Sequence, residues 1–152
     1  MTATVTPTVT STTPSTVPAN RSASTPSLWR TGLVAGVAAA AATVAVAAIA
    51  HAFGVSLETA PGEAIPVLGF GQLTLFFTAI GVLIARTIGR RSRKPRSTFT
   101  TTTMVLTALS VLPDLVLSAD VATKMTLVLT HLVAAAIVIP ALSSRLPERS
   151  TR

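Results

Sequence analysis

Cysteine is absent from this chain of 152 residues. That absence excludes disulfides, thiolate nucleophiles, haem attachment through CxxCH and zinc sites built on cysteine. Aromatic side chains are also scarce, with one tryptophan, five phenylalanines and no tyrosine. The net charge of +7 is clustered beside apolar stretches, and so few aromatic residues offer little on which nucleic-acid bases could stack. We therefore expect no nucleic-acid partner.

Charged residues make up only 11% of the chain, whereas 49% of the residues are hydrophobic. An average soluble domain has about 25% charged residues. Four apolar stretches are long enough, or nearly so, to cross a bilayer core of about 30 Å as helices. They cover residues 28–53, 66–85, 99–117 and 121–142. The sequence predicts an all-α integral membrane four-helix bundle over residues 28–146.

The segments that join these stretches alternate in charge. Eleven of the twelve lysines and arginines lie before or at the start of the first stretch, between the second and third, or after the fourth. Four of the five acids lie in the other two connections. Because basic segments tend to stay in the cytoplasm, the pattern predicts a multi-pass plasma-membrane protein with both termini cytoplasmic.

The strongest orientation signal is a basic cluster between the second and third stretches. It comprises Arg86, Arg90, Arg91, Arg93, Lys94 and Arg96. Such a cluster marks a cytoplasmic loop and attracts anionic lipid headgroups. The bilayer, with anionic headgroups at its cytoplasmic face, is therefore one predicted partner. A second copy of the chain or another membrane protein is the other.

The two ends of the chain differ from the apolar stretches. Residues 1–27 are rich in threonine, serine and proline and offer little apolar area, so we expect a disordered cytoplasmic tail. Residues 147–152 form a short basic tail. Small residues around 48–50 leave a cleaved signal peptide as an alternative for the first stretch. Its length, beyond the roughly 7–15 apolar residues of a signal peptide, favours an uncleaved span.

Small residues recur every four positions in two of the stretches. Gly32 and Gly36 form a GxxxG pattern in the first, and Gly81 and Ala85 form a similar stripe in the second. Small side chains let membrane helices approach closely, so these residues are candidates for helix packing. The likeness of LTLFFT at 73–78 to MTLVLT in the fourth stretch leaves a duplicated helical hairpin open.

Ionisable groups inside a membrane span are costly and indicate function by default. His131 lies near the middle of the fourth stretch, and Lys124 lies on the same helical face. Asp120 stands one turn before Lys124, at a spacing suited to an ion pair. Asp114, in the acidic connection, and Gln72, one turn into the second stretch, complete a candidate polar site.

Two interpretations of this site are open. In the first, His131 titrates near neutral pH in a site that opens to the outside. In the second, which the sequence favours, His131 stays neutral and bonds a threonine or a backbone carbonyl on a neighbouring helix while Lys124 pairs with Asp120. The two differ in what replacement of His131 by leucine would do.

Catalytic, cofactor and metal motifs are missing from the sequence. The GxSxG, HExxH, P-loop and Rossmann glycine patterns do not occur, and the histidines and acids have no recognised metal-ligand spacing. We therefore expect no cofactor, no metal and no enzymatic activity. The leading hypothesis is an accessory or structural membrane component that acts through helix–helix contacts. The alternative is a small transporter or pH-responsive protein with a polar site around His131.

Several stretches taken together resemble a known family. They are WRTGLVAG at 29–36, IPVLGFGQLT at 65–74, STF at 97–99, LPD at 112–114 and LTHLVAAAIVIP at 129–140. Over about 28–147 the chain resembles a family of uncharacterised four-span membrane proteins from actinobacteria, classed as a domain of unknown function. The resemblance implies a bacterial plasma membrane, and it carries over no catalytic or binding residues.

Overall fold

A computed structural model describes residues 27–116 and 119–148. These residues form four α-helices and one small hairpin: α1 (Leu28–Ala52), β1 (Glu58–Ala60), β2 (Glu63–Ala64), α2 (Val67–Arg91), α3 (Pro95–Val116) and α4 (Val121–Ser143). All four helices are long and apolar enough to cross a membrane. The prediction of an all-α membrane four-helix bundle is confirmed. The predicted disordered tail, apart from Ser27, lies outside the described residues, as does most of the predicted C-terminal tail.

The helices are arranged so that α1 packs against α2 and α4, while α3 packs against α4 and, less extensively, α2. The start of α1, the α2–α3 turn and the end of α4 lie at one end of the bundle. We call it the basic end, because the basic cluster lies there. The α1–α2 loop and the start of α4 lie at the opposite end, which we call the acidic end after Glu58, Glu63 and Asp120.

The connection between α2 and α3 is much shorter than the sequence predicted. The second helix continues six residues past 85, to Arg91, and the third begins at Pro95 rather than at 99. Arginine favours helix, and a cation in the last turn stabilises the negative end of the helix dipole. Proline suits the first turn of a helix, where its missing N–H costs nothing. The basic cluster therefore lies largely on helix ends, and the turn is only 92–94.

The α1–α2 loop is ordered by a short hairpin. Its antiparallel hairpin pairs Glu58 with Ala64 and Ala60 with Glu63. Leu57 precedes it with a φ of 56°, a left-handed conformation that costs a non-glycine residue about 1–2 kcal/mol. Its side chain is only 2% exposed. Burial of that leucine against the bundle offsets the strain and holds the loop on the acidic end.

The core is made mostly of small and polar side chains. Two apolar clusters lie toward the two ends of the bundle. The basic-end cluster contains Val82, Ala85, Phe99, Leu142 and Leu146, and the acidic-end cluster contains Ala47, Leu57, Phe70 and Leu127. Buried threonines lie along the helices as well, and their hydroxyls donate to carbonyls of the preceding turn or to each other: Thr43, Thr78, Thr126 and Thr130. Because these hydroxyls are satisfied, the threonines can pack like valines.

Both small-residue stripes lie at contacts within the chain. Gly32 and Gly36 are buried on α1, and a Cβ added to them would meet Val82 and Thr78 of α2 respectively. On α2, a Cβ added to Gly81 would lie 3.8 Å from Leu142 of α4, an ordinary contact distance. The α1 stripe is therefore packed more tightly than the α2 stripe.

Candidate functional site

Asp114 lies inside α3, in its last turn, and not in the connection where the sequence placed it. The residue is only 8% exposed. Its partner on α4 is His131. His131 lies ten residues from the start of α4, which is about 15 Å at 1.5 Å rise per residue. The structure therefore places a carboxyl group well within a membrane-spanning bundle.

The imidazole of His131 lies beside that carboxyl group. Its Nδ1 atom lies 3.2 Å from Asp114 Oδ2 and 2.9 Å from the backbone oxygen of Leu127. The Nδ1–Leu127 contact has hydrogen-bond geometry, whereas Oδ2 is buried without a hydrogen-bond partner. The short distance between Nδ1 and Oδ2 does not by itself make a hydrogen bond, because a hydrogen bond also needs suitable angles.

The number of protons on the pair determines its charge. An ionised carboxylate beside a neutral imidazole would leave one uncompensated negative charge in an apolar medium, which is strongly unfavourable. Adding one proton neutralises the pair, either as an imidazolium beside a carboxylate or as a carboxylic acid beside a neutral imidazole. In both forms Nδ1–H is the donor to the Leu127 backbone oxygen, because a carbonyl oxygen can only accept.

Pro113 adds a polar group close to the pair. It lies within α3, and because proline has no N–H, the carbonyl of Leu109 loses its usual helical donor. The last turn of α3 is held in another way, since Lys124 Nζ donates to the backbone oxygen of Leu115 at 3.1 Å. A cation at this point also stabilises the negative end of the α3 dipole.

The predicted ion pair between Lys124 and Asp120 is wrong. Asp120 instead caps α4: Oδ1 accepts from the Thr123 N–H at 2.9 Å, and Oδ2 accepts from the Thr123 hydroxyl at 2.7 Å. Ser56 of the α1–α2 loop donates to Oδ2 at 3.2 Å. With its carboxylate engaged at the cap, Asp120 is turned away from Lys124, whose ammonium group reaches α3.

These hydrogen bonds also set the protonation of the cap. The bonds from the Thr123 hydroxyl, from the Thr123 N–H and from Ser56 hold the pKa of Asp120 below its ordinary value. Asp120 is exposed at the acidic end, so it is charged at neutral pH and belongs to the loop rather than to the buried pair.

The remaining predicted site residue, Gln72, lies on the exposed side of α2. Among the described residues it makes no hydrogen bond to the pair. The structure thus brings together Asp114 and His131, bonds Lys124 to the backbone of Leu115, and separates Asp120 and Gln72 from the pair. Within the same described residues, no group of three or more histidine and acidic side chains could hold a metal ion.

Comparison with protein families gives one finding. A model of DUF6069, a family of unknown function, matches residues 23–148. The chain belongs to this family. No curated protein and no solved structure matches the chain. The DUF6069 match covers all four helices, so the family domain contains the Asp114–His131 pair.

Two features of this DUF6069 chain were missed by sequence reasoning. Thr43 and Thr74 share a hydrogen bond of 3.0 Å between α1 and α2, and neither residue has a motif that would have revealed it. The Asp120 cap could have been found, since an aspartate three residues before a threonine at the start of an apolar helix is an N-cap signal.

Proposed function

We propose that this chain is a multi-pass membrane protein that takes up and releases a proton at the Asp114–His131 pair, as a small transporter or a pH-responsive component. The single observation that carries the proposal is the buried, unpartnered Oδ2 atom of Asp114 beside an imidazole. A purely structural histidine would need only the Leu127 carbonyl. A buried carboxylic group adds cost without adding packing, and such groups in membrane helices commonly mark proton pathways.

The charged groups around the pair support the proposal. On α4, Lys124 is the nearest cation in sequence, and its ammonium group is bonded beside the pair at Leu115. On α2, the other helix that packs against α3, the segment Val67–Ala85 has no ionisable residue. Asp114 and His131 therefore form the one titratable pair in this part of the described bundle. Lys124, toward the acidic end, is the single cation near it in sequence.

The experiment measures protonation directly in the full chain reconstituted in lipid vesicles. Infrared difference spectra across a pH titration should show the band of a protonated carboxyl group. Asp114→Asn should remove this band, and His131→Leu should change the pH at which it appears. A pH-sensitive dye trapped inside the vesicles reports any proton flux. His51→Leu is the matched control, because that histidine lies exposed at the end of α1, and it should leave the band unchanged. A band insensitive to both site variants would contradict the proposal.

A second candidate is the accessory component that the sequence favoured. The observation in its favour is α3, in which only 11% of the most apolar 18-residue stretch is buried, against 22% to 33% in the other helices. Its outer side carries large apolar residues, including Met104, Leu109 and Leu112. This side can meet lipid or another membrane helix. Because the chain has no cysteine, single cysteines at Leu109 and, as a control on α2, at Leu83 would test for cross-linking between copies.

Orientation and location are part of the proposal. With both termini in the cytoplasm and the chain in a bacterial plasma membrane, the basic end faces inward and the acidic end outward. The charge distribution supports this orientation. Both candidate functions are non-enzymatic.

A further inference from the structure

A cavity of about 320 Å³ opens at the basic end, between the start of α1, the end of α2 and the residues that follow α4. Its size falls within the range of about 300–1,000 Å³ of small-molecule sites. Much of its lining is apolar, from Leu28, Trp29, Val82, Leu83, Ala85 and Leu146, and we call these side chains the apolar floor. We call this cavity the basic-end groove.

Three arginines line the same groove. Arg86 and Arg90 stand one turn apart on α2, and Arg145 comes from the segment after α4. None of the three has an ion-pair partner among the described residues. Glu148 is the one acid of the whole sequence near this end, and it is bonded to Arg96 of α3. The groove therefore combines an apolar floor with positive charge that nothing described neutralises.

We propose that the basic-end groove binds one anionic phospholipid, with the phosphate held by Arg86, Arg90 and Arg145 and an acyl chain against the apolar floor. Arginine pairs well with phosphate through its planar fork of donors. Basic pockets between membrane helices are suited to anionic headgroups. A soluble phosphate would use only the arginines and would leave the apolar floor in water, so the groove fits a lipid better than a free anion.

Charge also argues against occupation by the N-terminal segment. Residues 1–27 contain no aspartate or glutamate, so they offer no side-chain anion to three arginines. A second copy of the chain would present the same positive end. The proposal is independent of the proton site, which lies between α3 and α4 nearer the acidic end.

The chain's single tryptophan provides the measurement, because Trp29 lies in the groove. The full-length protein is reconstituted in phosphatidylcholine vesicles that contain equal mole fractions of brominated phosphatidylglycerol or of brominated phosphatidylcholine. Bromine quenches tryptophan only at short range. We expect stronger quenching by the brominated anionic lipid, and no displacement of it by added glycerol 3-phosphate.

The matched variants separate the groove from general surface charge. Arg86→Gln/Arg145→Gln removes two groove charges, and Arg93→Gln/Lys94→Gln removes two charges from the α2–α3 turn. Each basic residue near an anionic surface contributes about fivefold to binding, so the groove variant should lower the preference for the anionic lipid about thirtyfold. The turn variant should keep most of that preference. All four side chains are exposed, so both variants should fold, and circular dichroism is the measurement that checks this.

Three results would overturn the proposal. The first is equal quenching by the two brominated lipids in the unmodified chain. The second is an unchanged preference in the groove variant, and the third is an equal loss in the groove and turn variants. Competition by glycerol 3-phosphate would show instead that the arginines bind a soluble phosphate.

Discussion

Replacing glycine by alanine at positions 32 and 81 should have opposite effects on stability, although the two residues begin similar stripes in the sequence. A Cβ at Gly32 would collide with a γ-methyl group of Val82, which is buried and, as a β-branched residue, has few alternative rotamers. A Cβ at Gly81 would lie 3.8 Å from Leu142 Cδ1, an ordinary contact. The side chains packed around each glycine, and not the sequence pattern, therefore decide whether alanine raises or lowers the stability.

The magnitudes follow from two opposing effects. Alanine in place of glycine in a helix is favourable by about 0.5–1 kcal/mol. Overpacking a filled contact costs about 1–3 kcal/mol. We expect Gly32→Ala to lower the free energy of unfolding by about 1–2 kcal/mol and Gly81→Ala to raise it by up to about 1 kcal/mol.

The assay is unfolding of the purified chain in dodecyl maltoside by increasing mole fractions of sodium dodecyl sulfate, followed by circular dichroism. The variant Val82→Ala removes the colliding methyl groups, so Gly32→Ala should cost much less in that background. A coupling free energy of about 1–2 kcal/mol between positions 32 and 82 would support the reasoning. Equal stabilities of Gly32→Ala and Gly81→Ala, or a coupling near zero, would refute it.

Three further predictions concern the threonine contact, the cap and the topology. Thr43→Val removes the hydrogen bond between α1 and α2 and should cost about 0.6–1 kcal/mol, whereas Thr87→Val, on the exposed side of α2, should be nearly neutral in the same unfolding assay. Hydrogen bonds hold the pKa of Asp120 below its ordinary value near 3.9. The stabilising contribution of Asp120 should therefore be complete above about pH 4 and be lost as the pH falls through the folded-state pKa. Asp120→Asn should abolish this fall in the free energy of unfolding at acid pH. Single cysteines at Gly62 and Ser92 should be labelled by a membrane-impermeant maleimide from opposite sides, and labelling of both from one side would contradict the four-span topology.

Much of the fold follows from properties that act along the chain. The helices were predictable because each crossing needs about 20 apolar residues. The ends of the helices were less predictable. In α2 the hydropathy falls at Arg86, but the helix propensity of the residues does not. The second helix therefore continues to Arg91, beyond the apolar stretch.

The site depended on contacts between helices, which a single sequence does not encode locally. Asp114 and His131 are seventeen residues apart in the sequence, and their meeting depends on how far α3 and α4 are offset along the bundle. The i,i+4 spacing of Asp120 and Lys124 pointed to a pair that the N-cap prevents. The sequence named both members of the buried pair, Asp114 and His131, but it did not pair them with each other, and it paired Lys124 with Asp120.

The short α2–α3 turn has a consequence for the bilayer around the protein. The apolar part of α2, Val67–Ala85, spans about 27 Å at 1.5 Å rise per residue, slightly less than the average hydrocarbon thickness of about 30 Å. Arg86–Arg91 continue the same helix. Because the turn to α3 has only three residues, the backbone of this segment cannot readily change its depth in the bilayer. A thicker bilayer must therefore thin beside α2. We therefore expect membrane thickness to affect the stability of the protein even where lipid charge does not.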